Sequence, residues 1–536
     1  MKTLRRGFEL IVATSVLGLC AFAQSNQGTI IETGSTTDQG QSVADMARKA
    51  RKDHTKEVQM SDADAKQLFE SVDEIMSFAA QDSGFSKKAS VKRRLVGSEE
   101  VEKFTREQEK KKDYAQRFAR SELTMKKFGL LPRSFDLREF LVKANGNQIA
   151  AYYDFETKTI SMLNWIPLDK QKPILAHELT HALQDQNYDL KNFLKSPENV
   201  PGKPVRTDEA DESSTARRAV TEGQAQVVFI DYLLAPAGRT LQNTPGLIYQ
   251  MEDPIVKAVA DSELLHSAPM IMREMGTFPY KSGLIFEGEL LQKGGKEMAF
   301  AGAFAHPPRT THEVLQPSAY IDREKIAPTH IPDLQEILGG QYSPYDHGMF
   351  GELDVRALLK QVGERRVADD LAAQWQGGRY VAFRKADESG ASHTATTGDL
   401  ALVYVSHWKT AQAAEQFAKI YTNGVSQRYQ KAVAQNIPQC SGNQCPVAVA
   451  QFSTEEGPVV VEQWADNTVM VSESFEESTA AKVLHAVREG ATEVRADNAE
   501  GDELSLRLYE APGFGEFQQR LGEEIREAVA RALVQP

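Results

Sequence analysis

Apolar positions along the chain change their period several times, and each change marks an element. Leu68, Val72, Ile75 and Met76 recur at three and four residues, and a second stripe runs from about Glu99 through Phe104, Tyr114 and Phe118. That spacing predicts two helices, each with one buried face. The basic runs Lys92-Arg93-Arg94 and Lys110-Lys111-Lys112 stand among Glu99, Glu100, Glu102 and Glu109, which predicts solvated helix faces. Gln148 to Asp154 and Ile160 to Leu163 are short β-rich runs around a polar turn and predict a hairpin. Pro173 then stands where a first helical turn accepts proline, and no breaker interrupts Ile174 to Gln186. A further helix is predicted from about Ser213 to Leu234.

Beyond Glu352 the rhythm changes. A helix over Leu353 to Trp375 is followed by a strand at Leu400 to Trp408 and a helix at Ala411 to Tyr429. Strands at Val447 to Phe452, Val459 to Trp464 and Thr468 to Ser472 precede a helix at Glu477 to Glu489, and an amphipathic helix is predicted near Phe517 to Leu533. The order reads as an α+β chain: a helical N-terminal region at 59–130, a mixed central domain at 131–350, a separate α/β domain at 351–490 and a tail at 491–536.

The two ends of the pattern carry no core. Lys2, Arg5 and Arg6 precede an apolar run from Leu10 to Phe22 and the small-residue site Ala21-Phe22-Ala23, which predicts a signal peptide over 1–23 cleaved after Ala23. The protein is therefore expected to be secreted or periplasmic. Residues 24–58 are polar and predict a flexible leader. Cys440 and Cys445 remain after cleavage, and their short spacing in an oxidising compartment predicts a disulfide.

Composition narrows the class. A chain of 536 residues, with 41% hydrophobic and 26% charged, is long enough for two or three cores and has an ordinary globular balance. No second apolar run reaches the length needed to cross a bilayer, so the mature protein is not expected to be an integral membrane protein. The net charge is -13. It argues against nucleic acid or an anionic membrane as the main partner.

Chemistry enters at Leu175-Ala-His-Glu-Leu-Thr-His-Ala-Leu183, which contains H-E-x-x-H. Four residues apart on a helix, His177 and His181 offer imidazoles to one ion from one face, with Glu178 beside them. Zinc suits two neutral imidazoles plus a carboxylate and keeps a position for water. One catalytic Zn2+ is the expected cofactor. The longer form of the motif needs Gly at 184 and His at 187, where the chain has Gln184 and Asn187, so the third ligand must come from elsewhere. Glu222, in Ala219-Val-Thr-Glu-Gly-Gln-Ala-Gln226, is the leading candidate, because Gly223 and Ala225 would let its helix approach the motif helix closely. Glu198, Glu209 and Glu212 compete from loop-like or acidic sequence. Asp185 lies one turn beyond His181 and could accept that ring's second N–H.

The run from His177 to Gln186, followed by Glu222-Gly-Gln-Ala225, resembles the thermolysin-like gluzincin metallopeptidases, closest to poorly characterised secreted bacterial and archaeal members with the same Gln-Asp-Gln extension. The resemblance covers about 125–350. It implies a zincin-like catalytic domain, His177, His181 and Glu222 as metal ligands, Glu178 as general base, and an edge strand near Tyr152 that holds an extended peptide or protein substrate. Ala305-His-Pro-Pro-Arg is similar to a His-Pro segment in membrane-bound prenyl-endopeptidase-like gluzincins, which implies His306 as the catalytic oxyanion donor; Tyr280 and His312 are weaker candidates. Where the relatives carry an acidic residue one turn after the third ligand, this chain has Gln226. The alternative expectation is an inactive zinc-containing relative that binds a peptide or glycan through exposed Trp375, Trp408 and Trp464. The region before residue 130 is also a candidate cover for the cleft, as a propeptide.

Overall fold

In the computed structural model the described residues are 60–97, 112–140, 151–155, 157–164, 167–194, 210–250, 263–326, 329–386, 395–437 and 445–496. The expected signal peptide, the leader, Cys440 of the expected disulfide and the expected tail helix lie outside them.

The first apolar stripe forms α1, Asp62–Ser83, capped by the Ser61 hydroxyl on the Asp64 amide and closed by Gly84 at φ 75. Its buried face carries Leu68, Val72, Ile75, Met76 and Ala79. The basic run that predicts a solvated helix face is instead strand β1, Lys92–Val96, paired in parallel with β3, Thr159–Leu163. Arg93 can sit there because its guanidinium reaches the Phe69 carbonyl and the Asp73 carboxylate on α1. The hairpin is present, with β2, Ala151–Asp154, antiparallel to β3, so the small sheet runs β1-β3-β2 and β2 is an edge.

The motif helix, α3, spans Leu168–Tyr188 and starts earlier than expected, which places Pro173 inside it as the sixth residue. Its apolar face, Leu175, Leu179 and Leu183, is wholly buried. Each such side chain contributes about 1.5–3 kcal/mol by leaving water. α4, Ala210–Leu234, and α5, Met270–Lys296, pack against one another and against α3 or its neighbours.

Gly223 corrects one expectation. A Cβ on Gly223 would strike the carbonyl of Gly283 on α5, with Glu287 Cγ at 3.0 Å, so the missing side chain admits α5 rather than the motif helix. Gly283 has the matching contact with the Ala219 carbonyl. Backbone meets backbone at this crossing, and neither helix can retreat without opening the core. Gly223→Ala should therefore destabilise the chain by about 1–3 kcal/mol, read by urea unfolding. An unchanged midpoint would show that the crossing has slack.

The C-terminal part is a seven-stranded antiparallel sheet in the order β4-β5-β6-β10-β9-β8-β7. Its first strand, β4, is Tyr342–Met349, so the sheet begins before the expected boundary at 351. The helix predicted over Leu353 to Trp375 is also corrected. It is α6, Glu352–Gln361, then a short helix Ala368–Ala372, and Trp375 already opens strand β5, Trp375–Lys385. Gly377 and Gly378 concealed this strand, and Gly377 at φ 140 sits where the register with β6 shifts. The remaining strands are β6, Leu400–Trp408, β7, Ala432–Ala434, β8, Ala448–Thr454, β9, Gly457–Gln463, and β10, Thr468–Glu473.

Both faces of that sheet are covered. On β6, Ala401, Val403 and Val405 face a core shared with Val483, Leu484 and Val487 of α8, Glu477–Ala496. Leu402 and Tyr404 face the other way, toward Phe417, Tyr421 and Val425 of α7, Ala411–Arg428. Burial on two sides explains why β6 is apolar from Leu400 to Val405 instead of alternating. Trp375, Trp408 and Trp464 are all buried. The expectation of an exposed tryptophan platform is thereby corrected.

The N-terminal helical part divides between the two halves. α1 and β1 join the central part, whereas α2, Lys112–Phe128, packs on the C-terminal sheet, with Phe128 stacked on Phe350 at 4.5 Å and against Tyr380 and Tyr404. Lys127 is fully buried beneath it, its ammonium bonded to Glu456, Ser474 and the Thr397 carbonyl, and burial pulls its pKa down to about 8. One contiguous cluster of buried residues runs from α1 to the sheet, so no linker insulates the halves along that path. The architecture is mixed α+β, with a helical N-terminal part and a C-terminal β-sheet domain. No helix among the described residues is long and apolar enough to cross a membrane.

Candidate metal centre

H-E-x-x-H lies in the middle of α3, and the burial of that helix turns both imidazoles into a protein interior. His177 Nε2 and His181 Nε2 are 3.1 Å apart, and Glu222 Oε2 on α4 stands 3.2 Å from the first and 3.4 Å from the second. All three side chains are buried, and among the described residues they are the cluster of His, Cys, Asp and Glu whose geometry could hold a metal ion. A tetrahedral zinc site with bonds of about 2.0–2.1 Å has ligand-to-ligand edges of roughly 3.3 Å. The three observed separations have that length. Two imidazole nitrogens and a carboxylate oxygen converging at these distances are the donor types zinc takes, so the set fits zinc.

The orientation of His181 is set by Gln184, which corrects the expectation of Asp185. Gln184 Oε1 is 2.8 Å from His181 Nδ1, and an amide oxygen can only accept, so Nδ1 carries the proton and Nε2 is left as the donor to metal. The Gln184 amide nitrogen donates to the Thr221 carbonyl and to Gln224 Oε1, both at 3.0 Å. Gln224 Nε2 in turn donates to the carbonyls of Ala299 and Phe300, in the π-helical turn Glu297–Gly302 that follows α5. A chain of side-chain hydrogen bonds thus ties His181 on α3 to the helix that carries Glu222.

Asp185 instead accepts the Tyr153 hydroxyl and the Lys158 ammonium, each at 2.7 Å. This fastens the edge strand β2 and its turn to α3. On the same strand the Tyr153 amide donates to Glu178 Oε2 at 2.9 Å, so Glu178, which is buried, has one oxygen held by the backbone of an edge strand. The burial of the Tyr153 phenol and its contact with Asp185 hold it protonated. Gln186 completes the run by bonding the amides of Lys88 and Ala89, which lead into β1. Removing residues 60–97 would strip those contacts, one strand and the apolar face of α1.

The other nominated residues lie elsewhere. His306 is exposed at the end of the short helix Ala303–Ala305, its carbonyl accepting the Tyr320 hydroxyl, and it is not one of the three clustered side chains. His312 is fully buried, its Nδ1 against the Glu352 carboxylate and its ring near Trp375. Glu212 accepts from the Thr311 amide and hydroxyl, and burial raises its pKa to about 7. Both belong to the junction between α4 and α6. Tyr280 is buried in α5, Gln226 is buried in α4, and Glu198 and Glu209 lie outside the described residues.

Sequence reasoning also passed over Glu287. It is wholly buried on α5 against Gly223, the neighbour of Glu222, with the Gln224 side chain beside its carboxyl. Burial raises its pKa well above the ordinary 4.5, so the folded chain keeps a proton that the unfolded chain releases. Stability from this group is complete below pH 4.5 and is lost as pH rises toward the folded pKa. Glu287→Gln keeps the shape without the ionisation. Its melting temperature should match the parent near pH 4.5 and exceed it at pH 8, the gap closing on acidification; a gap independent of pH would refute the protonated state.

Comparison with known proteins places only the C-terminal part. Residues 341–485 match the model of a domain of unknown function (DUF8575), and these limits take in the whole seven-stranded sheet from β4. The match leaves α3 and α4 outside it. No curated protein and no solved structure matches the chain.

Proposed function

We propose that the chain is a secreted zinc-dependent endopeptidase of the gluzincin kind, with a zincin-like catalytic part at its centre. The observation that carries this reading is the convergence of His177, His181 and Glu222 at tetrahedral-edge distances, beside a Glu178 that is not needed as a ligand. When bound, zinc would lower the pKa of a water molecule and polarise the substrate carbonyl. Glu178 takes the water proton with the oxygen that Tyr153 leaves unheld and passes it to the leaving amine. The Tyr153 amide keeps the base aimed during both transfers.

Position on the edge strand supports a peptide as substrate. β2 pairs with β3 on one side only and lies beside Glu178, so an extended chain added to it would bring its backbone to the base. The exposed position of His306 gives it no support as oxyanion donor, and that role passes to no other residue here. The signal sequence, which lies outside the described residues, is the basis for secretion. A purely binding role has lost its tryptophan platform, since all three rings are buried.

The test is metal analysis of the purified chain together with cleavage of a quenched peptide library. About one zinc per chain is expected, with hydrolysis abolished by chelation and restored by zinc. Stoichiometric zinc without hydrolysis would leave the metal site standing and remove the peptidase.

A further inference from the structure

A cavity of about 280 Å³ opens between the N-terminal half of α5 and the pair α6 and Ala368–Ala372. Arg273, Lys281, Arg356 and Lys360 line it against two carboxylates, Glu274 and Asp369. Those carboxylates are already matched. Arg356 Nε lies 3.3 Å from Glu274 and 2.6 Å from Asp369, and Lys360 Nζ lies 2.9 and 3.0 Å from the same two groups. Four cations and two carboxylates thus line the cavity, in a chain whose net charge is -13. An acidic protein that concentrates cations around a concavity holds a local field opposite to its own.

The cations are arranged, not scattered. Arg273, Thr277 and Lys281 fall four apart on one face of α5, while Leu353, Arg356 and Lys360 fall on one face of α6, so the cavity has a basic stripe on each wall. Between the stripes Phe278 and Leu353 supply an apolar floor, and Ser282 and Thr277 add hydroxyls. Arg356 and Lys360 are mostly covered, at 15% and 13% side-chain exposure, which weakens screening by salt. Burial raises the Asp369 carboxyl, yet Arg356, Lys360 and Lys281 together hold it below its ordinary value.

We propose that this cavity binds a small organic dianion: a phosphate or paired-carboxylate head between the basic stripes, on an apolar stem over Phe278 and Leu353. The volume stands at the small end of ligand sites, which suits a metabolite-sized molecule rather than a peptide. A guanidinium and ammonium pair recognises such a head by charge-assisted hydrogen bonds. Ser282 lines the cavity and the next residue, Gly283, touches Gly223, so the ligand would sit one helix away from Glu222. The proposal stands independently of the zinc reading.

Calorimetric titration of the full chain at low salt tests it, with phenyl phosphate, phthalate and neutral phenol as probes. Saturable binding of at least one anion and none of phenol is expected, and which anion binds identifies the head. Arg273→Gln with Lys281→Gln should weaken binding by about tenfold or more, while Lys482→Gln, an exposed charge on α8, should leave it unchanged. If the double variant fails to fold, the single Lys281→Gln, at a partly exposed position, carries the test with a smaller loss. No saturable binding of either anion, binding that survives the α5 variants, or equal weakening by Lys482→Gln would overturn the proposal.

Discussion

Glu178→Gln should retain zinc and lose peptide hydrolysis by about 10³-fold, the usual worth of a positioned acid–base group. The substitution is nearly isosteric, and the amide oxygen can still accept the Tyr153 N–H that holds Glu178 now. Geometry is thereby preserved while the proton acceptor is removed. Metal content should be unaffected, because the three side chains proposed to hold the ion are others, on α3 and α4. The measurement is zinc content and turnover on the same preparation. A variant as active as the parent would show that Glu178 is not the base, and a variant that loses both zinc and turnover would show that it has a structural duty.

Glu222→Ala is the second large effect, and it should fall on the metal first. It removes the anionic member of the cluster and leaves two neutral imidazoles, so zinc should be lost from the dialysed protein along with all hydrolysis. Gln184→Ala should act more mildly. All three ligands remain, but His181 Nδ1 loses its acceptor and the ring its fixed orientation, a change worth about 10–100-fold in zinc affinity. Competition with a chelator resolves the graded series. Equal affinities for parent and Gln184→Ala would mean that packing alone orients the ring.

Much of the site was open to sequence reasoning because it is local. The i, i+4 spacing of His177 and His181 is a property of any helix, and the apolar residues around them mark the helix as buried. Glu222 was reached by a weaker route, through small neighbours that imply a close helix crossing. The crossing exists, but Gly223 makes it with α5. The Gln-Asp-Gln run was legible as an extension of the motif without any sign of its division of labour. One residue orients His181, the next ties down β2, and the third holds the lead into β1. The first contact spans three residues of one helix, but the partners of Asp185 and Gln186 lie tens of residues away, and no local pattern encodes them.

The misread strands have a common physical cause. β1 is a charged strand, Lys-Arg-Arg, in which α1 holds Arg93 and Ser161 holds Arg94, so its alternation in hydrophobicity is weak. β5 carries two glycines at a register shift, a sequence that by itself favours a turn. Both form because neighbouring strands supply the hydrogen bonds and the burial. His312 and the three tryptophans show the reverse case, side chains with chemistry to offer that the fold spends on its own interior.

The buried helices, the apolar run of β6 and the pair of imidazoles on one helix face are legible in the chain itself, because period and spacing act within a few residues. Only the packed fold brings an edge-strand amide to Glu178, draws Asp185 away to Tyr153 and Lys158, and anchors the Gln184 amide on Thr221 and Gln224. It also placed α1 and α2 on different halves of the chain. The reason is that these are contacts between residues distant in the chain, whose geometry follows from how whole helices and sheets pack and not from the order of residues within any one of them.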